Sequence, residues 1–484
     1  MRFALVLTIV LVGCTPAPSE MRQDSGPQAD LVITGGQIVD VDTGQLIIGK
    51  VVVIRGNRID AIASPGNAPD SALIFDAEGR FIIPGLWDMH AHALYEKWPL
   101  SDDGVPYTWG PYMDLMLVHG VTGFRDMWGS PVTIRQARAE IASGERAGPR
   151  FVAAGLVMGW FQYMAGLEKA KTGEEARALV RKAHADGADF IKFGLYNPAF
   201  LLESVVDEAQ TLGLDVVGHV PTDMSAIEAA EAGMRSLEHS FGVIQGCTAA
   251  GESLFDTART EFAESGTFSF QLIAHTHPLL AVFDEDACTR QAKQLAAMEV
   301  WLSPTVGLWE AKANAHRIDI EADPRFEHVN ANDRDIWIAS QGYFRRQFEE
   351  NGDLNQRLYE VRLRLIKTMH DNGVPILAGS DFMNLAATPG MGLLDELRNY
   401  QKAGLTSLET LRTATIEPVR YLRRTDDFGS VSSGKFADLV ILTKNPLEDI
   451  ENIATTHAVV ASGKLLDQSA LDQLSERAKV SLGY

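Results

Sequence analysis

Between residues 83 and 425, short apolar or β-branched runs alternate with amphipathic helical stretches. This alternation limits the available folds more than any other feature of the chain. The runs are GLWDMH, VTGFRDM, FVAAGLV, FIKFGL, DVVGHV, SLEHS, VWLSPTV and PILAGSDF, eight in all. Helical patterns such as EEARALVRKAHADG and PAFLLESVVDEAQTLG follow most of them. Strands separated by helices pair in parallel, and eight such units predict an α/β fold, a closed (β/α)8 TIM barrel. Two connections, 241–284 and 307–354, are long enough to be lids or binding elements.

Residues 30–82 and 426–470 read differently, as β-branched runs broken by Gly, Asn and Asp. Neither end holds enough for a core of its own, so the economical expectation is one small β-sandwich built from both. Residues 471–484 are left as a C-terminal tail. The chain begins with Arg2 and an apolar run too short to span a bilayer, the pattern of an export signal over residues 1–13. LVGC at 11–14 is similar to a bacterial lipobox, which makes Cys14 the expected lipidation site and 14–29 a flexible tether rich in Pro, Ser, Gln and Asp. The expected location is periplasmic or cell-surface, with the membrane reached only through that lipid anchor. A net charge of −21 opposes binding to nucleic acid or anionic lipid. Cys247 and Cys288 are too few for a disulfide framework; one bridge and two free thiols both remain open.

In a barrel of this kind, function collects at the C-terminal strand ends. There the sequence places His90 and His92, Lys192, His219, His239 and Asp381. Residues two apart in a strand point the same way, so His90 and His92 can chelate one ion. A lone HxH pair is weak, because core histidines are common. Five nitrogen and oxygen donors at successive strand ends form a stronger pattern, the set preferred by zinc and its neighbours, manganese among them. Lys192 departs from this, since an ammonium repels a metal. Burial lowers a lysine's pKa, and the neutral amine can add carbon dioxide to give a carbamate with two anionic oxygens able to bridge two ions. The alternative is an ordinary salt bridge, for instance with Asp189.

At these residues the chain resembles the amidohydrolase superfamily, and within it the binuclear imidazolonepropionase- and prolidase-like branch. The matching stretches are FIIPGLWDMHAH, GVTGFRDM, GADFIKFG, VVGHVP, AGMRSLEHS, LAGSDF, LRTATIEP and GSVSSGKFADLVIL. The resemblance implies two divalent ions, with His90, His92 and Asp381 on one, His219 and His239 on the other, and carbamylated Lys192 between them. It implies hydrolysis of a carbon–nitrogen bond by a metal-bridging hydroxide, with Asp381 as general base and then acid. One departure stands out: several dipeptidase-like relatives carry Gly-Gly-His after the third strand, where this chain has GLVMGWFQYM. That puts a specific prolidase assignment in doubt. AGSD in place of the commoner Gly-Thr-Asp leaves Asp381 in register.

Arg125 and Asp126 end the second strand, and Tyr196 and Trp160, with Phe161 and Tyr163, follow the fourth and third. Arg125, Tyr196 and Trp160 are expected as substrate contacts, Tyr196 near the rim, with supporting or packing roles as the alternative. A second HxH, His275 and His277, lies in the long connection after the sixth strand and reads as a surface pair. His119 reads as structural. The alternatives to amide cleavage are a lactone or phosphotriester hydrolase using the same site, or a ligand-binding lipoprotein without chemistry, since fold does not fix substrate.

Overall fold

The structure, a computed structural model, describes residues 29–94, 109–155, 157–160, 167–194, 196–320, 322–382 and 384–483. The export signal, Cys14 and the tether lie outside these residues, as do Phe161 and Tyr163. Among the described residues no helix is long and apolar enough to cross a membrane.

Both chain ends build the sandwich. Ala29–Thr34, Val51–Arg55, Arg58–Ala63 and Ser71–Asp76 form one sheet. The second combines Gln37–Val39, Leu46–Ile47 and Phe81–Pro84 with Leu439–Leu442, Thr456–Ala461 and Lys464–Leu466. The ends meet where Leu439 pairs with Pro84 and Ile441 with Ile82, antiparallel. This sheet is buried on both faces, which is why LVIL at 439–442 reads as unbroken apolar sequence. Leu439 and Ile441 join Leu31, Ile33, Ile54 and Ile82 in the sandwich core, whereas Val440 and Leu442 turn to the barrel core.

The barrel strands are β1 (Leu86–Ala91), β2 (Val121–Asp126), β3 (Arg150–Ala153), β4 (Ile191–Phe193), β5 (Val216–Gly218), β6 (Met234–Glu238) and β7 (Trp301–Ser303). All pair in parallel. The third expected strand is broken at Gly155, where φ is 72°. Its first part pairs with β2, and Val157–Met158 beyond the break pairs with β4. The eighth run, 375–382, closes the ring by hydrogen bonds on both sides. Leu302 N donates to Pro375 O (3.0 Å) and Leu377 N to Leu302 O (2.9 Å), while Met89 N donates to Ala378 O (2.8 Å) and Asp381 N to His90 O (2.7 Å).

The helices carry local signals. Thr172 caps Gly173–Ala185 through the Glu175 amide, and Ala176, Val180 and Ala183 recur at helical spacing on its buried side. Both long connections are largely helical rather than open loops. The first includes Ser253–Ser265, and the second Val306–Asn314 and the 21-residue Ala331–Asn351. The expected tail is corrected as well. Gln468–Leu482 is a helix that buries Leu471, Leu474 and Ala478, and its Arg477 forks onto the buried Asp114 of the Gly110–Val118 helix at 2.6 and 2.8 Å. Cys247 and Cys288 form a disulfide, which ties the first connection to the Glu285–Ala297 helix.

Candidate metal centre

Strand ends bring the predicted donors together. Nitrogen and oxygen atoms of His90, His92 and Asp381 all lie within 4.8 Å of one another. Asp381 Oδ1 is 3.0 Å from His92 Nε2 and 3.5 Å from His90 Nε2, and its Oδ2 is 3.5 Å from His239 Nδ1. The His239 ring centroid is 4.5 Å from that of His90 and 4.8 Å from that of His219. Lys192 is buried in β4, and its charge bears on His90, His219 and His239. Two glycines make the assembly possible. A Cβ on Gly218 would sit 2.0 Å from Phe193 O and 3.0 Å from Lys192 Cδ, and one on Gly379 would sit 2.6 Å from His90 Cβ.

The protonation states suit cation binding. Burial pushes His90, His219 and His239 well below the ordinary imidazole pKa, so their rings are neutral. Burial also brings the Lys192 amine down to about 8, against the opposing pull of Glu238 and Asp381. Three buried polar atoms here have no hydrogen-bond partner: His90 Nε2, His92 Nδ1 and Lys192 Nζ. Buried polar groups are nearly always paired, so an orphaned set of lone-pair donors is what a cation site requires. The donor set fits the divalent ions implied by the sequence. Lys192 has no salt bridge with Asp189, whose carboxylate instead takes Arg138 Nη2 (2.6 Å) and Ala153 N (2.8 Å).

Glu238, Thr305 and Asp88, which the sequence alone does not single out, join Arg125 and Asp126 as supports. Glu238 Oε2 binds His90 Nδ1 at 2.7 Å, which fixes the tautomer and turns Nε2 toward the cluster. Its Oε1 accepts from Arg125 Nη2 (2.8 Å) and Ser236 Oγ (2.6 Å). Thr305 Oγ1 lies 2.7 Å from His239 Nδ1. Asp88 accepts from Ser380 N (3.0 Å) and Oγ (2.5 Å), anchoring the segment that carries Asp381, and burial raises its pKa to about 6. Asp126 Oδ2 accepts from Ala93 N (2.8 Å) and Leu94 N (2.9 Å), holding the chain just past His92. Left-handed backbone at Tyr196 (64°), His239 (60°), His275 (51°), Thr305 (45°) and Asp381 (54°) gathers at this end of the barrel, as strain does at functional sites.

The expected substrate contacts are placed unevenly. Arg125 is not at the rim; it is fully buried beneath the histidines, where Nε also donates to Met89 O (2.6 Å). Trp160 donates to Gly266 O (3.1 Å) and packs with Phe262 and Phe200, against the first insertion rather than the donor cluster. Tyr196 is half-buried just past β4. The expected surface pair is also corrected. His275 is buried and stacked on Phe241 (centroids 3.9 Å apart, planes 9°), and Phe241 in turn packs on His219 and His239 at 5.0 and 5.1 Å. His277 accepts from Leu279 N and caps the Pro278–Ala281 turn.

Comparison with known proteins gives the same outline. The sequence model of the amidohydrolase family matches residues 81–466. A solved bottromycin amidohydrolase superposes with a TM-score of 0.71 at 22% identity, covering 93% of this chain and 90% of that one. A solved Xaa-Pro dipeptidase with bound methionine gives 0.64 at 20%, covering 90% and 99%. These identities carry the fold alone. Adenine deaminase 2 of Agrobacterium fabrum is 34% identical over 104 residues, a match spanning 20% of this chain and only 17% of that relative's length.

Proposed function

Because this chain belongs to the amidohydrolase family, we propose that it is a hydrolase acting on carbon–nitrogen bonds, which cleaves an amide, peptide or cyclic amide bond of a small substrate at the mouth of its barrel. The observation that carries this reading is the buried, orphaned donor set of His90, His92 and Lys192 beside Asp381. His90, His92, His219, His239, Asp381 and a carbamate on Lys192 would hold two divalent ions, zinc or manganese. Such ions supply an acidified water and polarise a carbonyl. The lysine amine, brought down to about 8, is available to carbon dioxide in its neutral form. Glu238 holds His90 in the tautomer that presents Nε2 inward. Asp381 receives a proton on the oxygen it turns to the cluster and returns it to the leaving amine.

We also propose export and anchoring through Cys14, with a small molecule as the partner and no nucleic acid. Replacing Cys14 by serine is expected to move the protein from membrane to soluble fraction; a membrane-bound variant refutes the anchor. The reaction is tested with dipeptides, N-acyl amino acids, cyclic amides and adenine. The enzyme is loaded with zinc or manganese and bicarbonate, beside a chelated control. Chelator-sensitive amine or ammonia release is expected. No release from a protein that holds about two ions refutes the carbon–nitrogen assignment.

A further inference from the structure

A second group of buried polar side chains is left unused by the proposed reaction. Arg362, on Leu354–Asp371, is fully buried, and its guanidinium carbon stands 3.3 Å from the centroid of the Trp309 ring. Lys312, on the same helix as Trp309, places its ammonium 3.9 Å from that centroid. One indole therefore serves two cations. Among the described residues neither cation has a carboxylate partner. Arg362 Nη1 donates to Leu358 O (2.9 Å), while Arg362 Nε, Arg362 Nη2 and Trp309 Nε1 are buried with no acceptor.

Nearby acids are committed elsewhere. Glu310 takes Lys402 (2.5 Å) and Asn399 (2.8 Å), and Glu396 takes the amides of Val306 (2.9 Å) and Gly307 (2.7 Å). A buried guanidinium without an anion is costly, and stacking on a ring satisfies none of its in-plane N–H groups. The two idle nitrogens, Nε and Nη2, form the side-on edge of the fork, whose parallel N–H groups match the two oxygens of a carboxylate. The group is tied to the donor cluster by the chain itself: Thr305, whose Oγ1 lies 2.7 Å from His239 Nδ1, leads directly into the Val306–Asn314 helix that carries Trp309 and Lys312. Electrostatics agrees: Arg362 and Lys312 both depress His275, and Asp381 acts on Lys312.

We infer that Arg362, with Trp309 and Lys312 around it, is the subsite for a substrate carboxylate, so that the enzyme selects N-acyl amino acids or dipeptides carrying a free acid. This rests on the carbon–nitrogen hydrolase reading. It also runs against the overall charge of −21, which favours cationic substrates; a fixed guanidinium and a neighbouring ammonium outweigh the mean field at contact distance.

The test uses the metal-loaded full chain and N-acetyl derivatives of glycine, methionine, phenylalanine, proline, glutamate and lysine, each as free acid and as amide. Binding is read by calorimetry and hydrolysis is followed in parallel. For at least one pair the acid is expected to bind about tenfold or more tightly than its amide. Arg362→Met should abolish that margin, with the loss falling mainly on the acid, while Arg362→Lys, a point charge without the fork, should keep only part of it. Absence of a margin in every pair overturns the inference, as does a margin that survives Arg362→Met. If the methionine variant fails to fold, an undiminished margin in Arg362→Lys overturns it equally. An Arg362-dependent margin with no turnover of either form refutes the reaction and leaves the subsite standing. Equal turnover of acid and amide without a margin does the reverse.

Discussion

In the shared sheet of the sandwich, Leu439 and Ile441 face one core, Val440 and Leu442 face the other, and all four are buried among apolar neighbours. At the barrel mouth, residues just as deeply buried include His90, Lys192, Arg362 and Asp381, and several of their polar atoms meet nothing. The sandwich is satisfied by the chain itself. On the proposed function, the mouth is completed from outside, by ions and a substrate. Between them lies a third layer, Arg125, Glu238, Ser236, Asp88 and Asp126, where charges are buried yet compensated. Stability and function are thus stacked along the barrel axis, and substitutions should separate them by depth.

The largest expected effect is at the mouth. Asp381→Asn should lower turnover by about 10²–10⁴-fold and leave the unfolding midpoint close to that of the parent, because the fold below does not depend on this carboxylate. Full turnover in the variant breaks the contrast at its strongest point. One layer down, Glu238→Ala should lose both properties together. It strands Arg125 as an unpaired buried cation, at a cost of about 3–5 kcal/mol, and frees His90 to choose its tautomer. Denaturant unfolding and metal titration on the same preparation read the two losses. A stable variant with weak metal binding would move Glu238 into the mouth group. In the sandwich, Ile441→Ala should cost about 2–5 kcal/mol while turnover per folded molecule stays unchanged.

The layering also explains what the sequence reveals. The sandwich was legible because period two and the return of β-branched runs at the C-terminus are backbone signals. His90 and His92 were legible for the same reason, as was the register of Asp381. Glu238 was not, because it precedes His239, and alternation sends neighbours to opposite faces. The left-handed turn at His239 breaks that rule and lets both side chains serve the interior. For Arg125 the position at the end of β2 is visible in the sequence but its depth is not; depth comes from the Glu238 partner on another strand. His275 sits on an insertion, and Arg362 on the Leu354–Asp371 helix stacks on Trp309 of the other insertion, a packing that no local pattern encodes. The same holds for the pairing of Cys247 and Cys288, separated by 41 residues.

The smallest expected effect tests whether the mouth is held at a cost. Burial, reinforced by Arg362 and opposed by Asp381, lowers the Lys312 pKa from 10.5 to about 7. A base depressed in the folded state is bound by an extra proton in the unfolded chain between those two values, so folding is penalised fully below pH about 7 and progressively less as pH rises toward 10.5. Lys312→Met removes the penalty. The variant should therefore unfold at a higher temperature than the parent near pH 6–7, with the gap closing as the solution is made alkaline. A saturating carboxylate ligand should narrow the same gap at neutral pH, because an anion beside Lys312 relieves in the parent what methionine removes in the variant. A gap constant across pH would mean that Lys312 is solvated like a surface lysine. The cationic group at the mouth would then be an ordinary surface, and the division between a self-satisfied sandwich and a mouth completed from outside would stop at the histidines.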